Sequence, residues 1–176
     1  MKILAIAGSL RRGSFNRLLL RAAAERLPTI DIFDELASVP LFDEDLESGA
    51  PIESVVALRD RVAAANGLLI STPEYNWSIP GVLKNAIDWL SRPPMEVLAR
   101  KKIAIIGASG GTWGTRLAQA ALRQTLTATE SIVMPAPALF VARAENVFDA
   151  DGHLVDARVA QQLDAVLAAF AQWIDC

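Results

Sequence analysis

The chain of 176 residues carries a single cysteine, Cys176, and a single histidine, His153. One thiol at the last position cannot close an internal disulfide or build a thiolate metal cluster, and a catalytic role is not expected there. One imidazole leaves no His/Cys zinc set and little room for a histidine-based triad. No metal site is expected, so the chemistry is expected to depend on something the protein binds. Long hydrophobic runs are also missing. The apolar stretches Ile3 to Ala7, Gly67 to Ile70 and Ile103 to Ile106 all fall far short of the ~20 residues a membrane helix needs. The N-terminus opens directly into a strand pattern, without a basic region, long apolar core and cleavage site, which reads as a cytoplasmic protein with no membrane partner. There is no basic excess either. The net charge of −3 argues against generic nucleic-acid binding.

What remains is a globular composition, 52% hydrophobic and 21% charged, in a length that suits one domain spanning residues 1–176. Short β-rich runs alternate with longer helical patterns. Strands are predicted at Lys2 to Ala7, Ile30 to Phe33 (near an edge), Gly67 to Ser71 and Lys102 to Ala108. A fifth begins at Ile132 to Met134 and resumes at Leu139 to Ala142 after Pro135 and Pro137. Helices are predicted from about Ser14 to Leu27, Glu53 to Ala65, Ile79 to Ser91 with Pro80 in the first turn, Trp113 to Ala128, and Asp156 to Ile174. The acid-rich connection from Leu36 to Ile52 is either functional or a surface wrap. Alternating strands and helices imply right-handed crossovers and a parallel sheet covered on both faces. The fold class is α/β, a flavodoxin-like three-layer sandwich with a five-stranded parallel sheet in the order 2-1-3-4-5.

Ligands of such sheets bind beyond the carboxyl ends of the strands, and three unusual loops fall there. Gly8 to Asn16 places hydroxyls, an amide and two guanidinium groups around a helix N-terminus, where free N–H groups favour an anion such as phosphate. Ser9, Ser14 and Asn16 can donate hydrogen bonds and Arg11 supplies charge; a helix capped by Ser14 with solvated arginines is the other reading. Thr72 to Gly81 joins Tyr75 and Trp77 to exposed backbone, which suits a planar ring, but also a rigid loop packed on a neighbouring helix. Ser109 to Thr115 is glycine-rich and lets backbone approach a ligand closely, a pattern common without one. Three such loops on one sheet edge favour a site. Asp149-Ala150-Asp151-Gly152 lacks the remaining ligands of a calcium loop and reads as a turn before a last helix capped by Asp156.

Gly8-Ser9-Leu10-Arg11 with Ser14-Phe15-Asn16, and Pro73-Glu74-Tyr75-Asn76 running into Ser78 to Trp89, resemble the NADPH-dependent FMN reductase family, which includes quinone, azo-dye and chromate reductases. The resemblance extends from Met1 to about Asp156. It implies bound FMN, NADPH or NADH as co-substrate, and homodimers that pair into homotetramers. Carried onto matching positions, Ser9, Arg11, Ser14, Phe15 and Asn16 belong to the FMN phosphate end. Pro73, Glu74, Tyr75 and Asn76 line the isoalloxazine, and Ser109, Gly110 and Gly111 close its other side. The implied reaction passes a hydride from the nicotinamide to flavin N5 and on to a small acceptor: a flavin, quinone, azo compound or metal oxyanion such as chromate. It needs no catalytic side chain, and Glu74 is expected to fix its loop. The alternative is a flavodoxin-type electron carrier. One departure stands out. Related sequences often read Gly-Thr-Val-Arg-Ala-Gln followed by tyrosine; here Arg116 stands one place earlier, roughly 100° around a helix, and Ala120 replaces the tyrosine.

Overall fold

The wholly buried run Ile3–Ala7 (β1) carries no side chain that needs water, and it occupies an inner position of one parallel sheet. The computed structural model describes residues 1–176. After β1 come helix Phe15–Arg26 (α1), strand Ile30–Phe33 (β2), the single turn Glu44–Glu47 (α2), helix Glu53–Ala64 (α3) and strand Gly67–Ser71 (β3). Helix Gly81–Leu90 (α4), strand Lys102–Ala108 (β4), helix Arg116–Thr127 (α5), strands Ile132–Val133 (β5) and Leu139–Val141 (β6), and helix Ala157–Asp175 (α6) complete the chain. The order is β2-β1-β3-β4-β5, with β6 also on β4 and every pairing parallel. This is the flavodoxin-like arrangement expected from the sequence, with β2 at the edge.

The fifth position is filled in two pieces. Lys102 pairs with Ile132, whereas Ile106 pairs with Leu139, so three extra residues lie on the outer strand between the two pairings. Pro135 and Pro137 fall in that interval, and neither has an N–H to give the ladder.

Alternate β1 residues feed opposite layers. Ile3, Ala5 and Ala7 pack with Leu19, Leu20 and Ala23 of α1 and Leu163, Leu167 and Phe170 of α6. Leu4 and Ile6 pack with Leu58 and Val62 of α3, Leu83 and Ile87 of α4, and Leu122 and Leu126 of α5. No helix is long and apolar enough to cross a membrane.

Two helix starts differ from the sequence reading. The helix after β3 begins at Gly81 rather than Ile79, because a proline disfavours the helical region for the residue before it, and Pro80 itself is extended (φ −61, ψ 142). The helix after β4 begins at Arg116 rather than Trp113, since Gly114 takes a left-handed φ of +68 and breaks the helical path. The connection from Leu36 to Ile52 is a wrap pinned to α4. Asn85 Nδ2 and Trp89 Nε1 both donate to the Pro40 carbonyl, and the Phe42 N–H donates to Asn85 Oδ1. Asp156 caps α6 by accepting from the Val159 N–H. In the preceding turn the backbone N–H of His153 holds the Asp149 carboxyl below its ordinary range.

Gly107 in β4 fixes how closely the two halves of the sheet's C-terminal edge approach. A Cβ there would collide with the Thr72 carbonyl oxygen and with Thr115 Oγ1, and the former is backbone that cannot swing aside. Gly107→Ala is therefore expected to destabilise the fold by about 3 kcal/mol, near the upper end for overpacking, and to lower Tm by roughly 6–12 °C for a chain of this length. Calorimetry on the purified variant checks this.

Candidate functional site

Asn16 lies in the first turn of α1 and is 2% exposed. Its Nδ2 donates to the Ala108 carbonyl at 2.8 Å, and its Oδ1 accepts from the Ala108 N–H and from the Ser71 hydroxyl, each at 2.9 Å. One carboxamide thus ties the start of α1 to the ends of β3 and β4. A buried amide demands such partners, and here they are the strand ends that border the three loops.

The loops meet around a cleft of about 200 Å³. Ser9, Arg11, Ser14, Phe15 and Asn16 come from the first, Pro73, Glu74 and Tyr75 from the second, and Ser109 and Gly110 from the third. Ala108, which the sequence reading did not single out, also lines it; Asn76 and Gly111 are not on its wall. A larger hollow of about 480 Å³, bordered by Lys84, Asp88, Gln124 and Thr129, lies toward the opposite edge of the sheet, where β4 and β5 begin. It has neither a strand C-terminus nor a helix N-terminus aimed into it, and the smaller cleft is the better candidate on chemical grounds.

The first loop is a set of unused donors. Ser14 Oγ accepts from the Asn16 N–H and Ser9 Oγ from the Arg11 N–H, so each hydroxyl keeps its own proton to give. The amides of Phe15 and Arg17, in the first turn of α1, have no acceptor within the chain. Both serines are buried, while Arg11 stays exposed. Buried hydroxyls, free helix-terminal amides and a guanidinium suit a phosphate. Along the other two loops the amides of Glu74, Asn76 and Gly110 are likewise without an acceptor in the chain, which suits the polar edge of a planar ring. The donor set fits flavin mononucleotide.

Glu74 serves a remote helix. Its Oε2 accepts from the N–H groups of Leu117 and Ala118, both at 2.9 Å, so the carboxylate caps α5 across 43 and 44 residues of sequence. The second and third loops are joined through it. The third loop is also held from behind, by Ser109 N–H to Val141 carbonyl and Arg143 N–H to Gly111 carbonyl. Arg116 lays its guanidinium over the Phe140 ring at 4.7 Å.

Tyr75 and Ser78 exchange N–H···O=C bonds at 3.0 Å in each direction, closing a two-residue hairpin. Its tip residues Asn76 and Trp77 both have positive φ, 50 and 64, the mark of a type I′ turn. Asparagine tolerates that conformation, whereas for other L-residues it costs about 1–2 kcal/mol. The cleft is smaller than the roughly 300 Å³ at the low end for small-molecule sites, so a cofactor-sized ligand extends onto the rim. Within the second and third loops Tyr75 (51% exposed), Trp77 (78%) and Trp113 (77%) stand in solvent, and of these Tyr75 lines the cleft.

Asn16→Ala leaves the Ala108 N–H and carbonyl unpaired in the core, and is expected to cost about 3 kcal/mol of unfolding free energy. Glu74→Ala, at a partly exposed helix end, is expected to cost about 1 kcal/mol. Urea titrations of the two variants measure both, and equal losses would contradict this ranking.

The geometry is accompanied by extensive likeness to known proteins. The model of the family described as NADPH-dependent FMN reductase matches residues 1–146. An NAD(P)H-dependent FMN reductase of Pseudomonas aeruginosa is 41% identical over 177 aligned residues, covering 99% of this chain and 95% of that protein. A 2-hydroxy-1,4-benzoquinone reductase of a Burkholderia species is 40% identical, covering 99% and 96%. Among solved structures, the flavoenzyme NAD(P)H:(acceptor) oxidoreductase FerB of Paracoccus denitrificans superposes with a TM-score of 0.90 at 35% identity, over 99% of this chain and 98% of that one. An archaeal flavodoxin shares only the fold, with a TM-score of 0.66 at 11% identity. The chain belongs to the NADPH-dependent FMN reductase family.

Proposed function

We propose that this protein is an NAD(P)H-dependent FMN reductase that passes reducing equivalents from NADPH or NADH, through bound FMN, to a small acceptor. The observation that carries the reading is the convergence of three loops on one cleft whose donors match a phosphate at one end and a ring edge at the other. When bound, the flavin supplies hydride chemistry that no side chain here can perform. The chain's own work is to bind and to orient. Ser9, Ser14, Arg11 and the amides at the start of α1 hold the phosphate; the backbone of Pro73, Glu74, Tyr75 and Asn76 meets the ring edge; Ser109, Gly110 and Gly111 border its other side. Asn16 acts by placing these loops, since its carboxamide is turned to the strand ends. Glu74 does likewise through its bond to α5.

Among acceptors, quinones are favoured by the benzoquinone reductase of Burkholderia and by the quinone reductase of Escherichia coli, the latter 37% identical to this chain. Free flavins, azo compounds and chromate are further substrates of the same exposed site. The whole-chain similarity to reductases, set against fold-level likeness to a flavodoxin, favours this reading over the electron carrier. We further assign it to the cytoplasm as a homodimer or homotetramer, with no nucleic-acid or membrane partner.

Purified protein loaded with FMN is expected to lose its yellow colour on anaerobic addition of NADPH or NADH and to regain it on adding a quinone; colour that persists with both nicotinamides would rule the reductase out. Arg11→Ala is expected to weaken FMN about tenfold while leaving riboflavin, which lacks the phosphate, within twofold. That difference amounts to about 1.4 kcal/mol, the lower end for a charge-assisted contact, and fluorescence titration of both flavins reads it directly.

A further inference from the structure

We infer that Asp34 is a specificity-determining residue of the cofactor site: by pairing with Arg17 it cancels a second guanidinium charge beside the phosphate end, and so limits how far binding depends on the phosphate. This rests on the reading of the cleft as an FMN site. Arg17 lies in the first turn of α1, and its backbone N–H is one of the free amides of the phosphate end. Its side chain does not line the cleft. Nη2 instead meets Asp34 Oδ1 at 2.6 Å, on the residue that directly follows β2. Arg17, Asp34, Ser9 and Leu10 border one small hollow of about 30 Å³, and Ser9 also lines the cleft. The ion pair therefore stands one residue behind the wall that meets the phosphate.

Stability gives little reason for the pair. The Asp34 side chain is 59% exposed, and an ion pair with one partner so open to water contributes little to folding. What the pair changes is the charge beside an anion site. The first loop and the start of α1 carry three arginines, Arg11, Arg12 and Arg17, and of these Arg17 is the one matched with an acid. A lone guanidinium at Arg17 would strengthen the hold on a dianion nearby. The Asp34 carboxylate removes that gain. FMN and riboflavin differ only in the phosphate, so the pair sets how sharply the site tells the two apart.

The test titrates FMN and riboflavin, by fluorescence, into the apoproteins of wild type, Asp34→Asn, Arg17→Gln and the double variant. At about 10 mM ionic strength, where charges are screened only over about 30 Å, Asp34→Asn is expected to lower the Kd for FMN about threefold and Arg17→Gln to raise it about threefold. The double variant should return to within about 1.5-fold of wild type, and riboflavin should stay within about 1.5-fold throughout, since it carries no charge for the pair to act on. In about 1 M salt, with screening over about 3 Å, the differences should vanish. Opposite signs for the two single variants are the signature, because a purely structural pair would weaken FMN in both. Equal weakening in both, a riboflavin Kd that follows that of FMN, or effects that persist in high salt would each overturn the inference. Failure of wild type to bind FMN at all would instead remove the reading of the cleft on which it rests.

Discussion

Everything at the functional edge depends on the buried carboxamide of Asn16. The edge of a parallel sheet is where strands separate and backbone groups lose their ladder partners. Without a cross-tie, the ends of β3 and β4 and the start of α1 would be free to shift independently. Asn16 answers the Ala108 N–H and carbonyl together and takes the Ser71 hydroxyl as a third partner. The loops that leave these points therefore start from fixed positions. The tie is strong because it is buried: Asn16 is 2% exposed, and hydrogen bonds gain strength where the local dielectric is low.

Around that tie the cleft is built with little dedicated machinery. Gly107 lets the β4 backbone lie against the Thr72 carbonyl and Thr115, which brings the third loop down to the level of the second. Glu74 then locks the two together through the first amides of α5. The cleft wall carries two charged side chains, Arg11 and Glu74, and Glu74 is engaged with α5. Such a site is suited to holding a reactive cofactor and poorly suited to proton-transfer catalysis by its own side chains.

The sheet was legible because its inner strands β1, β3 and β4 are buried on both faces and so appear as nearly unbroken apolar runs between turn residues. Their number and spacing then admitted few topologies. Helix starts were less so. A pattern of apolar residues cannot register that Tyr75 and Ser78 close a hairpin immediately before α4, or that Gly114 turns left-handed before α5. The loops that form the cleft were recognisable from their residue types and from family resemblance. The division of labour among them was not. Nothing local distinguishes an asparagine that faces a ligand from one that faces two strand ends, and nothing near Glu74 in sequence reveals that the N–H groups donating to its carboxylate lie more than forty residues away. Long-range pairing is a property of the folded chain.

The unused amides around the cleft have a consequence for divergence. Main-chain N–H groups survive almost any substitution that preserves the backbone, so descendants of this protein can change most rim side chains without losing the cofactor. The hairpin tip is covalently part of the site yet mechanically outside its core, held by two hydrogen bonds between Tyr75 and Ser78. Substitutions at that tip can therefore accumulate first, leaving intact the backbone donors that border the cleft.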